Sequence, residues 1–327
     1  MNKHTLPAGI ISFLGCFFLI LDRDTAMAGI LQGMKLCATS VIPGLFPFFF
    51  LTSLMCFSLR GRDMPILSPL RKCMGIPEGG DYLLIPAFLG GYPMGAKAVS
   101  EAYSNGILDA ATAHRLLFFC NNGGPAFFFG ILPAVLDDKK MIFCLWFLHV
   151  VSAILISLLL PGKMSAAITA PKAENINLSE VMTSAVRSTA MVCGWILIFR
   201  MVIKILERWI LWRLPVCARV ICCGVLELTH GCISLIQLEP VSLRFVLASA
   251  FIGWGGVCAA MQTASILGKL SCSSYLTGKL LHSLFSAVLA FSVVSGHFIL
   301  GLGAILTLIF LGRTLQNRGR KILPYIV

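Results

Sequence analysis

Gly90-Gly91-Tyr92-Pro93-Met94-Gly95-Ala96-Lys97 interrupts an apolar segment, Tyr82 to Val99, that otherwise has the composition of a membrane-crossing helix. Pro93 has no backbone N–H to donate, and glycines lower the cost of leaving helical geometry. A lysine, Lys97, follows at membrane depth. In lipid such a break is tolerated only where it is buried in protein or lines a wet cavity. A broken helix beside an ionisable group is a recurrent way to build a transport site.

The composition around that stretch agrees. The chain has 327 residues, 57% hydrophobic and 12% charged, with mean hydropathy +0.89. A soluble domain carries about a quarter charged residues, so the chain reads as an all-α polytopic membrane protein. Lys and Arg number 26 against 14 Asp and Glu. The basic residues stand singly at the ends of apolar runs, which fits cytoplasmic loops rather than nucleic-acid binding. An anionic ligand is a second source of the excess.

The 13 cysteines lie mostly inside apolar stretches, without a C-x-x-C pair. The adjacent Cys222-Cys223 has no His or Cys partner at metal-site spacing. They read as small buried hydrophobes, and neither a metal nor a cofactor is expected. No HExxH, Walker loop, nucleophile elbow or carboxylate pair is present, so the chain does not read as an enzyme.

A span needs about 20 apolar residues. Ten candidates follow: 6–21, 41–59, 82–100, 110–136, 141–160, 188–206, 220–238, 242–264, 277–294 and 297–312. The first resembles a signal-peptide core, but it runs into Asp22-Arg23-Asp24 without a small-residue cleavage pattern, so it reads as a helix. Placing Arg60, Arg62, Arg71 and Lys72, then Lys139 and Lys140, then Lys204, Arg208, Arg213 and Arg219, and the tail Arg313, Arg318, Arg320 and Lys321 in the cytoplasm gives ten crossings with both termini inside. Lys163, Lys172 and Arg187 fit less well. They fall in a polar linker, 161–187, between a first half, 1–160, and a second half, 188–327.

The halves look related. Ala87 to Lys97 aligns with Ala250-Phe251-Ile252-Gly253-Trp254-Gly255-Gly256-Val257-Cys258-Ala259-Ala260, with four of eleven positions identical. With one inserted residue, Arg115-Leu116-Leu117 then meets Lys279-Leu280-Leu281. Both stretches centre on glycine-rich breaks, the pattern that marks a binding site between transporter repeats. In the orientation above the repeat is inverted. A parallel repeat is the alternative.

Polar groups at membrane depth supply the candidate site. Asn121-Asn122-Gly123-Gly124-Pro125 offers amides and exposed backbone, and Pro125 suits the first turn of a half-helix. A surface loop is the plainer reading. Glu227, in Leu226-Glu227-Leu228-Thr229-His230-Gly231, is a carboxylate inside an apolar run. It is expected to carry a coupling proton or to pair with Lys97 or Arg187. Thr229 adds a hydroxyl, and His230 either titrates or packs as a neutral ring. Gln262 follows the second break. Lys97 faces the solute or snorkels to the interface.

Four motifs together resemble a family: Ser40-Val41-Ile42-Pro43-Gly44-Leu45-Phe46-Pro47-Phe48, Gly91 to Lys97, Phe119 to Pro125, and Leu226 to Gly231. In this order they resemble the sporulation integral membrane proteins of the YlbJ type, which carry the nucleoside-recognition or Gate domain. The resemblance implies a fold similar to concentrative nucleoside transporters, a bacterial membrane around the developing spore, and a role in moving dipicolinic acid. The second half departs from the pattern at Gly253-Trp254-Gly255-Gly256.

The expected function is a secondary transporter or permease for a small anionic or heteroaromatic solute, with dipicolinate first. The expected substrate-binding residues are Gly91, Tyr92, Pro93, Lys97, Asn121, Asn122, Gly124, Pro125, Gly255, Gly256 and Gln262, with Glu227 and Thr229 as coupling residues. The alternatives are a nucleoside transporter and a non-transporting scaffold of the spore envelope. The expected partners are the lipid bilayer and the solute, with a second copy or other sporulation membrane proteins left open.

Overall fold

The computed structural model describes residues 5–62, 64–160, 168 and 177–318. Lys163, Lys172, Arg320 and Lys321, which entered the orientation argument, lie outside the described residues. Among those described, the protein is helical throughout and has no strand.

In chain order the helices are α1 (Thr5–Leu21), α2 (Arg23–Leu36), α3 (Ile42–Leu59), α4 (Ser68–Cys73), α5 (Met94–Ser104), α6 (Ala110–Leu117), α7 (Pro125–Gly130) and α8 (Lys139–Leu159) in the first half. The second half has α9 (Leu178–Trp209), α10 (Val216–Leu226), α11 (Leu228–Ser234), α12 (Val241–Trp254), α13 (Gly256–Ala264), α14 (Ser273–Val294) and α15 (Phe298–Arg318). Among the described residues, five stretches are long and apolar enough to cross a bilayer: Arg23–Leu59, Lys139–Leu159, Leu178–Trp209, Val241–Ala264 and Ser273–Val294. The protein is an integral membrane protein.

Several expected spans are not plain continuous helices. The segment 41–59 is the second half of one stretch, α2 and α3 joined by a wide π-helical turn, Cys37–Val41. Pro43 has no N–H for the carbonyl of Thr39 four residues earlier, which favours that wider turn. The segments 82–100, 110–136 and 220–238 form short helices separated by breaks. The linker is shorter than 161–187, because α9 begins at Leu178. Asn177 starts it there by accepting from the N–H groups of Ser179 and Glu180, at 3.1 and 3.4 Å. At 1.5 Å per residue, its 32 residues span about 48 Å, longer than a hydrocarbon core of about 30 Å.

Packing sets the broken segments inside. α2 lies along α9, where a Cβ on Gly29 would stand 2.8 Å from the Met201 Cα and one on Gly33 3.3 Å from the Leu197 Cα. This is small-residue packing at a four-residue repeat, which lets two backbones approach in lipid. α14 packs on α12, α8 and α15. The largest core cluster joins Tyr82, Leu116, Phe119, Phe128, Phe245 and Tyr275. Arg71, expected in a solvated basic loop, is instead buried against Asp81, with Nε 3.0 Å from the carboxylate.

Candidate functional site

Both expected breaks exist, the first at Gly91 and the second at two consecutive glycines, Gly255 and Gly256, all with positive φ. The chain leaves helical geometry at Gly91 (φ 73°) and resumes at Met94, the start of α5. It leaves again at Gly255 (φ 83°), between α12 and α13. Left-handed backbone of this kind is strained for any residue with a Cβ.

The two breaks meet. A cavity of about 380 Å³ is lined by Gly91 and Tyr92 from the first, Gly255, Cys258 and Gln262 from the second, Gly123 and Gly124 from the Asn-Asn loop, and Glu227 and Thr229. Thr39, Ser40 and Pro43 from the π-helical turn, with Val192 and Ile196 of α9, complete much of the wall. The Tyr92 hydroxyl donates to the Ile252 carbonyl at 2.8 Å, so the ring is held between the breaks.

Glu227 sits at the break between α10 and α11. Its two carboxylate oxygens accept from the N–H groups of Thr229 (2.8 Å) and His230 (2.7 Å), starting α11. The expected ion pair with Lys97 or Arg187 is therefore not formed. Lys97 donates to the Ser184 and Ser188 hydroxyls of α9 and lies 3.9 Å from Glu101. It does not line the cavity, and nor do Pro93, Asn121, Asn122, Pro125 or Gly256.

Both asparagines bond to neighbouring segments, while the buried Asn122 Oδ1 has no hydrogen-bond partner among the described residues. Asn121 accepts from the Ala96 N–H at 3.3 Å and donates to the Thr263 hydroxyl at 3.1 Å, tying α5 to α13. Asn122 donates to the Ala87 and Phe119 carbonyls at 3.1 and 2.8 Å. The Gly123 N–H, which the sequence left open to a ligand, is taken by His149 Nε2 at 3.0 Å. Pro125 does start a helix, but α7 has only six residues.

Sequence reasoning missed a buried polar group behind this wall. Lys279 of α14 is 1% exposed and donates to the Asn121 carbonyl at 3.0 Å. Its Nζ stands 4.9 Å from the centre of the Tyr92 ring and 3.2 Å from His282 Nδ1. His282 stacks on His149 at 4.2 Å. The available signal was Lys279 and His282 three residues apart in an apolar helix, which places both on one face. Thr39 and Ser40 were missed for another reason, because nothing in their types announces a wide turn.

The chain has a counterpart among known proteins. The chain is similar to the sporulation integral membrane protein YlbJ of Bacillus subtilis (strain 168). Identity is 23% over 304 residues, covering 78% of this chain and 74% of the relative. No family model and no solved structure matches. The resemblance seen in the motifs thus extends along most of the chain.

A second polar group lies away from the cavity. Glu207, Cys223 and His230 come from three helices, with candidate ligand atoms within 4.8 Å of one another. Lys204 pairs with Glu207 at 3.1 Å, and Arg200 contacts His230 Nδ1. His230 Nε2 lies 3.2 Å from the other Glu207 oxygen, so the carboxylate already has two partners here.

Proposed function

We propose that this protein is a secondary transporter or permease for a small, flat, anionic or heteroaromatic solute, with dipicolinate as the leading candidate. The observation that carries the reading is the convergence of the two glycine breaks and Tyr92 on one cavity. An aromatic face, the Gln262 amide, the Thr39, Ser40 and Thr229 hydroxyls, the Glu227 carboxylate and apolar walls suit a planar ring bearing polar substituents. The similarity to a sporulation membrane protein supports a role in spore formation, in the membrane around the forespore. In this reading the helices make ten membrane segments in two inverted repeats, both termini are cytoplasmic, and the breaks move against each other to alternate access. Tyr92 stacks on the ring, Gln262 and Thr229 orient its polar groups, and an ion or solute gradient drives flux.

Purified protein in liposomes is expected to take up labelled dipicolinate, and unlabelled dipicolinate is expected to compete. Competition by nucleosides instead would assign the nucleoside alternative. A folded protein that moves neither class would leave the envelope scaffold.

A further inference from the structure

Lys279 is a buried cation-forming group without an acid. It is 1% exposed, and the ion pairs among the described residues do not include it. Its contacts are specific. One N–H goes to the Asn121 carbonyl and one toward His282 Nδ1. His282 Nε2 meets the His149 carbonyl at 3.0 Å, which requires an N–H there and leaves Nδ1 as the acceptor. Two hydrogens satisfy both contacts, so an amine fits as well as an ammonium. The remaining contact is the face of the Tyr92 ring, which attracts an ammonium.

The charged neighbours leave this choice to the cavity. Tyr275 and His282 lie on the same helix, and His149 comes from α8. α6, α12 and α15, which pack on α14, bring His114, Arg115, Arg244 and Arg313. His114 meets the Ser274 hydroxyl, Arg115 donates to main-chain carbonyls, Arg244 donates to a main-chain carbonyl and pairs with the exposed Glu239 carboxylate, and Arg313 is exposed. Of the residues those helices bring, none is an acid. The same Tyr92 ring lines the cavity. Glu227 also lines the cavity, but its two oxygens are held by the N–H groups that start α11. An anion placed against the Tyr92 ring would bring a further negative charge to within one aromatic ring of Lys279.

We propose that Lys279 is the proton-coupling group of the cavity. When a planar carboxylate occupies the cavity, the Lys279 amine takes one proton from water and becomes an ammonium, facing the Tyr92 ring. When the solute leaves, the proton returns to water. Because Lys279 also holds the Asn121 carbonyl, the loop that includes Gly123 and Gly124 feels the change. This inference rests on the solute-binding reading above.

The test is calorimetric titration of dipicolinate into the full chain in lipid nanodiscs, in two buffers of different ionisation heat. The wild type is expected to take up about one proton per solute bound, with affinity falling roughly tenfold per pH unit as pH rises. Lys279→Arg, which stays charged, is expected to bind without proton uptake and with a flat pH profile. Lys279→Met is the second variant, expected to bind more weakly, again without uptake. Uptake that persists in a folded Lys279 variant, or binding by the wild type without uptake, overturns the proposal. Absence of any binding by the wild type overturns the solute site itself, and the coupling with it. Should both Lys279 variants misfold, Glu227→Gln carries the test: proton uptake that persists in it supports Lys279, and uptake that disappears overturns the proposal.

Discussion

Tyr92 donates its hydroxyl to the carbonyl of Ile252 at 2.8 Å, a bond that spans 160 residues and joins the first broken segment to the helix before the second break. The ring is buried, so the bond forms out of water and fixes the aromatic wall of the cavity. Tyr92→Phe keeps the ring and leaves the Ile252 carbonyl unpaired. The expected loss is about 1–2 kcal/mol of stability, read as a lower melting temperature in nanodiscs. An unchanged melt would mean that the two breaks are held together by other contacts.

Gly255 is the second hinge point. Its φ is 83°, and a Cβ there would stand 3.3 Å from Cζ of Tyr92. Gly255→Ala is expected to cost about 1–2 kcal/mol from backbone strain alone. Gly194→Ala is the control: Gly194 lies in α9 with nothing within 4 Å of its added Cβ. That change is expected to be neutral or to stabilise by about 0.5–1 kcal/mol. Equal melts for the two variants would contradict the strain at Gly255.

The breaks, the Asn-Asn loop and the carboxylate at Glu227 were legible because each is an unfavourable residue choice for a plain span. Glycine, proline, paired amides and an acid in apolar surroundings all demand a local reason. What the residues do at those places was less legible. Asn121 and Asn122 spend their hydrogen bonds on backbone and Thr263, an assignment that depends on contacts from 25 to 142 residues away for Asn121. Lys279 stood near the start of the expected span 277–294 and so resembled a span-end lysine. α14 begins earlier, at Ser273, and α6 and α8 cover it. Arg115, its counterpart in the repeat alignment, is half-buried and donates to the main-chain carbonyls of Met74 and Ser157.

The Arg71–Asp81 pair is the buried salt bridge to break. The Arg71 and Asp81 side chains are 9% and 0% exposed, and the second Asp81 oxygen accepts from the Met64 N–H at 3.1 Å. Asp81→Ala leaves an uncompensated buried guanidinium and is expected to cost about 3–5 kcal/mol. Arg71→Met combined with Asp81→Leu is expected to recover much of that loss. If the single and double variants melt alike, the pair is not the source of the effect.

Glu227 serves the fold and the cavity at once, and the two roles separate. Glu227→Ala removes the acceptors for the Thr229 and His230 N–H groups, an expected cost of about 1–2 kcal/mol. Glu227→Gln keeps one acceptor oxygen, so most of that stability is expected to survive. Loss of solute uptake in a stable Glu227→Gln protein would assign the charge itself to transport. Wild-type uptake would confine Glu227 to capping.

The central claim is that the cavity between the two breaks is where the solute passes. Thr39 lines it from the π-helical turn and is exposed, so a larger side chain there fills the cavity without entering the core. The most direct measurement is labelled dipicolinate uptake by proteoliposomes carrying wild type or Thr39→Trp, with melts recorded for both. The account predicts uptake by the wild type and its loss in Thr39→Trp at an unchanged melting temperature. Wild-type uptake through the Thr39→Trp protein would contradict it, as would a folded wild type that takes up nothing.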